Sequence, residues 1–416
     1  MAKKTLLMIA YHFPPSAEVS GVLRTLSMAR HLAEEGWRPI ILAPAPAAYP
    51  SRLESTLDLV PPGCEVVRTF ALDARRHLGL RGRYPQLFAL PDRWSTWRLS
   101  AVPEGLGLIE RFHPRAIWST YPIATAHWIA AGLHRRTGLP WIADFRDPVM
   151  PPAGLERGLI ARSRARLERR TVREADVCVF VTERARALYA QRYAQTPHGA
   201  FEVIPNGFDE RDFAHLEAVP GSSLRKSGRP LVLVHSGVLY PQGRNPEPFF
   251  RAVSSLLGSG RLDRGSLRVV LRGSGPESYL GEMLRRYRLE EVVELAPPVS
   301  RDAALVEQCN ADGLLLFQGR EFNAQVPAKI YEYFRVGRPI FGLVDEAGES
   351  ARLITREGVG LITNIEDSVA ITGQLTKFLA GVRDGVFPAL QGGALMKYSR
   401  RAGAAQLIGL LERLAP

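Results

Sequence analysis

The 416-residue sequence contains few cysteines, only Cys64, Cys178 and Cys309. They are far apart in the chain, and their odd number does not allow complete pairing. Disulfide-stabilised secreted domains and structural zinc sites both need more cysteines at closer spacing. The cysteine content therefore argues against both classes and is typical of a protein of the reducing cytosol.

Long apolar runs are missing as well. No stretch approaches the roughly 18–20 consecutive apolar residues that a membrane-spanning helix needs. The first residues, MAKKTLLMIAYHFPP, superficially resemble a signal peptide because lysines precede an apolar stretch. That stretch is only about six residues long, and no small-residue cleavage site follows it. We therefore expect a cytoplasmic protein whose first apolar segment is a buried β-strand.

Several recognition motifs are absent. No Gly-x-Gly-x-x-Gly sequence follows the first predicted strand, which argues against a nicotinamide-dependent enzyme. We find no helix-turn-helix signature, zinc-finger spacing or aromatic RNA-binding motif, so nucleic acid is not expected as a partner. The sequence also shows no repeat of about 20–50 residues and no low-complexity tract.

The sequence has fewer acidic than basic residues: it contains 42 Asp and Glu and 54 Lys and Arg, which gives a formal net charge of +12. Seven arginines lie between Arg157 and Arg173. Such a segment is either a solvated helix face or an electrostatic contact, and both interpretations stay open. The net charge suits phosphorylated ligands or an anionic membrane surface as partners.

Apolar runs alternate with segments of helical periodicity along the whole chain. The runs of the first half are typical of strands buried on both faces; they include TLLMIA, RPIILAP, AIWST, PWIADF and DVCVFVT. The alternation restarts at PLVLVHSG. This pattern predicts an α/β protein with two Rossmann-like domains and a ligand cleft between them.

The domain limits follow from the restart of the pattern. We predict an N-terminal domain over residues 1–209 and a C-terminal domain over residues 230–398. The polar, turn-rich segment between them is the expected linker, over residues 210–229. The last helix, over residues 399–416, is expected to cross back to the first domain.

Polar residues and glycines follow several predicted strands, where open α/β sheets bind ligands. Gly21 precedes the first predicted helix, whose amides could contact an anion; an ordinary turn glycine is the alternative. Arg146 and Asp147 end a strand, and a purely structural pair is the alternative there. Gly237 ends another strand, and Arg244 follows near a helix start, where a guanidinium can bind phosphate.

Lys329 and Glu332 are three residues apart at the start of a predicted helix, so both side chains can extend from its first turn in the same direction. They form either a surface ion pair, which contributes little to stability, or a site for a ligand with phosphate and hydroxyl groups. We favour the ligand site.

Several stretches together resemble the family 4 glycosyltransferases, retaining sugar-nucleotide enzymes of the two-domain GT-B type. FPPSAEVSGVLRTLSMARHLAEEGW is similar to their first loop and helix, and VIPNGFDERDF to their hinge motif. SGVLYPQGRNPEPFFRAV is similar to the phosphate-binding strand and helix, and GSGP and VPAKIYEYFRVGRPI to the donor-site motifs. LPDRWSTW and WIADFRDPV resemble a bacterial subgroup.

The resemblance implies roles for single residues. Glu332 matches the second Glu of the family's E-x7-E motif and would bind the donor ribose. Lys329 and Arg244 would bind the donor diphosphate. Gly21 and Gly237 match glycines that approach the donor.

The sequence also departs from the family. Arg146 and Asp147, the candidate catalytic residues, fall near the family's sugar-contacting His, which is absent. Val238 stands where a second phosphate-binding Arg is expected, and Ala324 replaces the first Glu of the E-x7-E motif. The identity of the donor sugar therefore cannot be carried over.

The resemblance implies an enzyme that moves a sugar from a nucleotide-sugar donor to a hydroxyl acceptor, with retention, in bacterial surface polysaccharide or other glycoconjugate synthesis. A glycan or lipid-linked acceptor would place it peripherally at the inner membrane face. No cofactor and no metal are expected. Two alternatives stay open, a non-catalytic sugar-nucleotide-binding protein on this scaffold and a sugar-nucleotide epimerase of the same architecture.

Overall fold

The computed structural model describes residues 4–17, 19–79, 81, 84, 86–149, 158–195, 201–214, 216 and 228–414. The chain divides into two compact units, Met1–Asn206 together with Arg400–Pro416, and Gly207–Ser399. Each unit is built on its own parallel sheet. The predicted α/β fold with two Rossmann-like sheets is confirmed.

The strands of the first unit are β1 Lys4–Ala10, β2 Trp37–Pro44, β3 Glu65–Thr69, β4 Ala116–Thr120, β5 Trp141–Arg146, β6 Val177–Phe180 and β7 Phe201–Val203. Its helices up to residue 206 are α1 Val19–Glu34, α2 Ala74–His77, α3 Trp97–Phe112, α4 Ala124–Thr137, α5 Leu159–Glu174 and α6 Glu183–Arg192. The sheet order is β3-β2-β1-β4-β5-β6-β7, and neighbouring strands are parallel.

The core of the first unit lies on both faces of this sheet. In β1, Leu7 and Ile9 belong to one apolar cluster, which includes residues of α3 and α4. Leu6 and Met8 belong to a second cluster, which includes residues of α1. Both faces of β1 are therefore covered, which explains its continuous apolar run.

The strands of the second unit are β8 Leu231–Ser236, β9 Leu267–Arg272, β10 Val293–Ala296, β11 Gly313–Gln318, β12 Ile340–Val344 and β13 Gly360–Thr363. Its helices are α7 Glu247–Gly258, α8 Glu277–Tyr287, α9 Arg301–Asn310, α10 Lys329–Val336, α11 Glu349–Glu357, α12 Ser368–Asp384 and α13 Gly392–Met396. The sheet order is β10-β9-β8-β11-β12-β13, again with parallel neighbours.

The last helix, α14 (Arg400–Leu414), belongs to the first unit. Leu407 and Leu411 are buried in the same apolar cluster as Val22 and Leu26 of α1. The break between the units falls after Asn206, so the segment that opens the expected linker is part of the second unit. Residues 215 and 217–227 of that linker lie outside the described residues.

Each sheet has a point where the strand order reverses. In the first unit this point lies between β1 and β4, and in the second unit between β8 and β11. The loops that follow these strands diverge there, and ligands of open α/β sheets bind in the resulting crevice. The residues predicted for the site follow β1, β5, β8 and β11; β1, β8 and β11 flank the reversal points, and β5 is the neighbour of β4.

Candidate functional site

Lys329 and Gly237 meet at the carboxyl end of β8. Lys329 is the first residue of α10, and its Nζ donates a hydrogen bond to the carbonyl oxygen of Ser236. A Cβ at Gly237 would lie 2.6 Å from this ammonium. Gly237 also has a φ of 127°, which disfavours any other residue. Glycine is therefore needed here to leave room for the ammonium.

The environment of Lys329 destabilises its positive charge. Burial is the main cause, the nearby charge of Arg244 adds to it, and Glu332 opposes it; together they lower the pKa of Lys329 from 10.5 to about 7. A nearby anion would favour the protonated form of Lys329 and raise its pKa again. Perturbed groups of this kind are concentrated at functional sites.

Arg244 lies in the loop that follows β8. Its guanidinium lies over the rings of Tyr240 and Phe322, at 5.3 and 5.6 Å. Its Nε is buried and has no hydrogen-bond partner. The amide of Gly319 donates to the carbonyl of Gly243 at 2.6 Å, which joins the loops after β11 and β8. Arg244 therefore lies at the reversal point of the second sheet, and its Nε can still donate a hydrogen bond.

Glu332 lies in the first turn of α10 and is only 8% exposed. Its Oε1 accepts a hydrogen bond from Arg301 Nη2 at 2.7 Å. Arg301 Nη2 also donates to Asp212 Oδ2 at 2.7 Å. Among the described residues, Glu332 forms an ion pair with Arg301 and not with Lys329. The two predicted side chains therefore have separate partners.

Ala324 replaces the first Glu of the E-x7-E motif, but another acidic residue, Glu321, is close to it in the chain. Ala324 lies in the turn before α10. Glu321, three residues earlier, has its Oε2 2.8 Å from where a Cβ would lie at either Gly243 or Gly319. A carboxylate is thus present beside the Arg244 loop, although the E-x7-E register is not kept. We call Gly237, Arg244, Lys329 and Glu332 the second-unit cluster.

Arg146 ends β5 and contacts α1. It has a φ of 56°, unusual for a residue with a side chain, and its Nη1 donates to the carbonyl of Gly21 at 3.2 Å. The prediction that Gly21 precedes the first helix is wrong, because Gly21 is the third residue of α1. A Cβ at Gly21 would lie 2.9 Å from His12. Gly21 is therefore required for the close approach of the His12 ring.

Burial shifts the pKa values of Arg146, His12 and Asp147. Burial and then the charge of Arg24 lower the pKa of Arg146 to about 10. Burial and then the charge of Arg146 lower the pKa of His12 to about 4, so this imidazole is neutral at physiological pH. Burial raises the pKa of Asp147. We call Gly21, Arg146, Asp147 and His12 the first-unit cluster.

His12 was not predicted from the sequence. It is a polar residue just after the end of β1, and a polar residue at a strand end was the signal that identified Arg146. Asp144, which is completely buried within β5, was not predicted either. Asp144 binds the guanidinium of Arg24 through both carboxylate oxygens, at 2.8 and 3.0 Å. Arg24 also donates to the carbonyls of Ile204 and Pro205. The Arg24–Asp144 pair thus fixes the chain just before it passes from the first unit into the second.

The stretch LPDRWSTW has a structural role. Asp92 is buried, and its two oxygens accept from the amide of Thr125 at 2.7 Å and from its hydroxyl at 2.8 Å. Thr125 is the second residue of α4. Asp92 thus satisfies an amide at the start of this helix from a distant position in the chain.

The arginine-rich segment forms α5, apart from Arg157, which lies outside the described residues. Two of its arginines contact protein groups: Arg164 donates to the carbonyl of Pro91 at 3.3 Å, and Arg170 pairs with Glu174 at 2.7 Å. Four others are exposed at a spacing of four, three and four residues, which places them on one helix face; they are Arg162, Arg166, Arg169 and Arg173. In the described parts of the chain, no helix is long and apolar enough to cross a bilayer.

Part of the chain matches a known protein family, and solved structures share its fold. Residues 21–207 match the family described as "Glycosyl transferase 4-like domain". This match covers less than half of the chain, and within those residues it confirms the predicted resemblance to family 4. Two solved structures share the fold over 99% of this chain. Sucrose-phosphate synthase from Thermosynechococcus elongatus aligns over 99% of its length with a TM-score of 0.68 at 15% identity. HepE from Anabaena, in complex with UDP, aligns over 100% with a TM-score of 0.64 at 16% identity. The fold is thus that of GT-B glycosyltransferases.

A curated relative is more similar in sequence over a shorter stretch. D-inositol 3-phosphate glycosyltransferase from Kineococcus radiotolerans is 34% identical over 146 residues. The alignment covers 32% of this chain and 32% of that protein. The chain thus matches about a third of the length of this relative.

Proposed function

We propose that the protein is a retaining glycosyltransferase that moves a sugar from a nucleotide-sugar donor to a hydroxyl acceptor. The observation that carries this proposal is the Lys329 ammonium, held against Gly237 at the reversal point of the second sheet. Its lowered pKa and the neighbouring Arg244 create a site that an anion would stabilise. The HepE structure, which shares the fold, was solved with UDP bound.

In this proposal the second unit binds the donor. Lys329 and Arg244 bind the diphosphate, and Gly237 allows it to approach the backbone. Negative charge develops on the diphosphate as the sugar leaves, and two fixed cations stabilise that charge without reorganisation. Glu332 accepts hydrogen bonds from the ribose hydroxyls, since an ionised carboxylate has several acceptor positions.

The first unit supplies the residues proposed to act on the sugar and the acceptor. Arg146 and Asp147 are the candidate catalytic residues, and the amide of Gly21 in the first turn of α1 contacts the donor. Burial raises the pKa of Asp147, and we propose that its carboxyl group forms a hydrogen bond with a sugar hydroxyl. We assign no protein nucleophile.

The acceptor in this proposal is a glycan or lipid-linked hydroxyl compound of polysaccharide or other glycoconjugate synthesis. The protein would then be cytoplasmic and would bind peripherally to the anionic inner face of the membrane. The four exposed arginines on one face of α5 support this location. Basic residues close to an anionic bilayer contribute about 1 kcal/mol each to binding.

A panel of nucleotide sugars tests the donor assignment. We expect one or a few of them to raise the melting temperature of the wild-type protein but not that of Lys329→Met. With the stabilising donor and a lipid-linked or glycan acceptor, the enzyme should release nucleoside diphosphate, and NMR of the product should show the anomeric configuration of the donor. Binding without acceptor-dependent release would favour the non-catalytic alternative, and an epimerised donor without acceptor would favour the epimerase.

A further inference from the structure

Arg301 lies between two carboxylates in the second unit. It is the first residue of α9, and its Nη2 donates to Glu332 Oε1 and Asp212 Oδ2, both at 2.7 Å. Its side chain is 30% exposed, whereas that of Glu332 is 11% exposed. The Arg301 side chain is therefore partly exposed to solvent, whereas the carboxylate that it contacts is nearly buried.

The contact uses only one oxygen of Glu332. Arg301 occupies Oε1, and Oε2 accepts no hydrogen bond from the residues that the structure describes. An ionised carboxylate accepts hydrogen bonds at both oxygens. The second oxygen is therefore available to hydroxyl groups of a ligand while the first is held.

The ion pair also provides the nearly buried Glu332 carboxylate with a counter-charge. Removing an ionised carboxylate from water is costly unless a cation compensates it. Burial alone would lower the pKa of Arg301, but the charges of Glu332 and Asp212 outweigh it and raise that pKa. Arg301 thus stays protonated at any physiological pH and is a permanent counter-charge for Glu332.

Asp212 fixes the other side of Arg301. It ends a short helical turn, Glu210–Asp212, near the start of the second unit. The same turn is tied to α10 by a second ion pair, between Arg335 and Glu210 at 2.9 Å. The two arginines therefore contact the same turn, but only Arg301 contacts Glu332.

We propose that Arg301 is a positioning residue for ribose recognition: it holds the Glu332 carboxylate in place, with one oxygen occupied and the other free for the ribose hydroxyls of the donor. This inference rests on the proposed donor site. It assigns to Arg301 an effect on the hydroxyl groups of the nucleotide and none on its phosphates.

The test compares nucleoside diphosphates with their 2′,3′-dideoxy analogues, which lack both hydroxyls. Affinities are measured by calorimetry for UDP, GDP and ADP, and the base that binds most tightly is used for the variants. Wild type should prefer the ribonucleotide about tenfold or more, as expected for hydrogen bonds to a charged acceptor. Arg301→Met should reduce this ratio to about one while changing the dideoxy affinity less than twofold. Arg301→Lys should restore part of the preference.

Arg335→Met is the matched control, because it removes an arginine that pairs with the same turn. It should leave the ratio at its wild-type value. A wild-type ratio in Arg301→Met, or an equal fall of the ratio in Arg335→Met, would overturn the positioning role. These outcomes differ from a failure of the donor site itself, in which the wild-type protein would bind no nucleoside diphosphate. If Arg301→Met does not fold, an undiminished ratio in Arg301→Lys and in Asp212→Asn would overturn the inference.

Discussion

Glu332 is the residue on which the ribose half of the proposed donor site depends. We expect Glu332→Ala to weaken donor binding by about 1.5–3 kcal/mol, the range for hydrogen bonds to a charged group, while the protein stays folded. Calorimetry with the stabilising nucleotide sugar measures the loss, and circular dichroism checks the fold. Glu357→Ala is a suitable control, since Glu357 also pairs with basic residues but lies at the end of α11. Unchanged donor affinity in Glu332→Ala would make Glu332 a structural residue.

Lys329 should give donor binding a distinctive pH dependence. Its lowered pKa of about 7 means that the side chain loses its proton as the pH rises above 7. The diphosphate binds the protonated form, so affinity should fall between pH 7 and pH 9, by up to about tenfold per pH unit. Lys329→Arg should remove this dependence because arginine keeps its charge. Calorimetry across this range tests the prediction, and a flat wild-type profile would contradict it.

At the residue scale, some residues of the candidate site could be predicted from the sequence and others could not, for a physical reason. Gly237 and Lys329 follow from strand ends and from local spacing along the chain, which are visible in sequence. Arg301 could not be found in this way, because it meets Glu332 only through the packing of α9 against α10. His12 carried the same strand-end signal as Arg146 but was not singled out.

At the element scale, the buried pair of Arg24 in α1 and Asp144 in β5 should dominate the stability of the first unit. The two side chains are 6% and 0% exposed. Asp144→Ala would leave the Arg24 cation buried without its carboxylate, so we expect a loss of about 3–5 kcal/mol in the free energy of unfolding. Denaturant unfolding measures this loss.

The exposed pair Lys4–Glu412 provides the comparison, because it joins β1 to α14 with side chains that are 40% and 52% exposed. Glu412→Ala should cost no more than about 1 kcal/mol. Similar losses in the two variants would show that the Arg24–Asp144 pair is not a special anchor of the unit.

The alternation of apolar runs and helical periods was enough to predict parallel sheets, because strands buried on both faces leave an unmistakable pattern. The region from β3 to α3 was not predicted in the same way. β3 lies at the edge of its sheet and is only partly buried, so its apolar pattern is weak. The hydrogen bonds from Thr125 of α4 to Asp92 could not be predicted either, because the two residues are more than thirty positions apart in the chain.

At the scale of the whole molecule, the excess of positive charge should give reversible, salt-sensitive binding to anionic membranes. We expect the wild-type protein to sediment with vesicles that contain anionic lipid at low salt and to be released at high salt. Changing Arg162, Arg166 and Arg169 to Glu should abolish sedimentation. The matched control changes three exposed arginines of the second unit to Glu; they are Arg261, Arg285 and Arg383. Equal binding to neutral and anionic vesicles, or an equal loss in the control, would remove the membrane from the proposal.

The central claim is that the second-unit cluster binds the diphosphate and ribose of a nucleotide-sugar donor. The most direct measurement is a crystal structure of the protein with the nucleoside diphosphate that stabilises it most. The account predicts phosphate oxygens at about 2.7–2.9 Å from Lys329 Nζ and from the Arg244 guanidinium, and ribose hydroxyls within hydrogen-bond distance of Glu332. A nucleotide bound away from these three side chains, with Lys329 still donating only to Ser236, would contradict it.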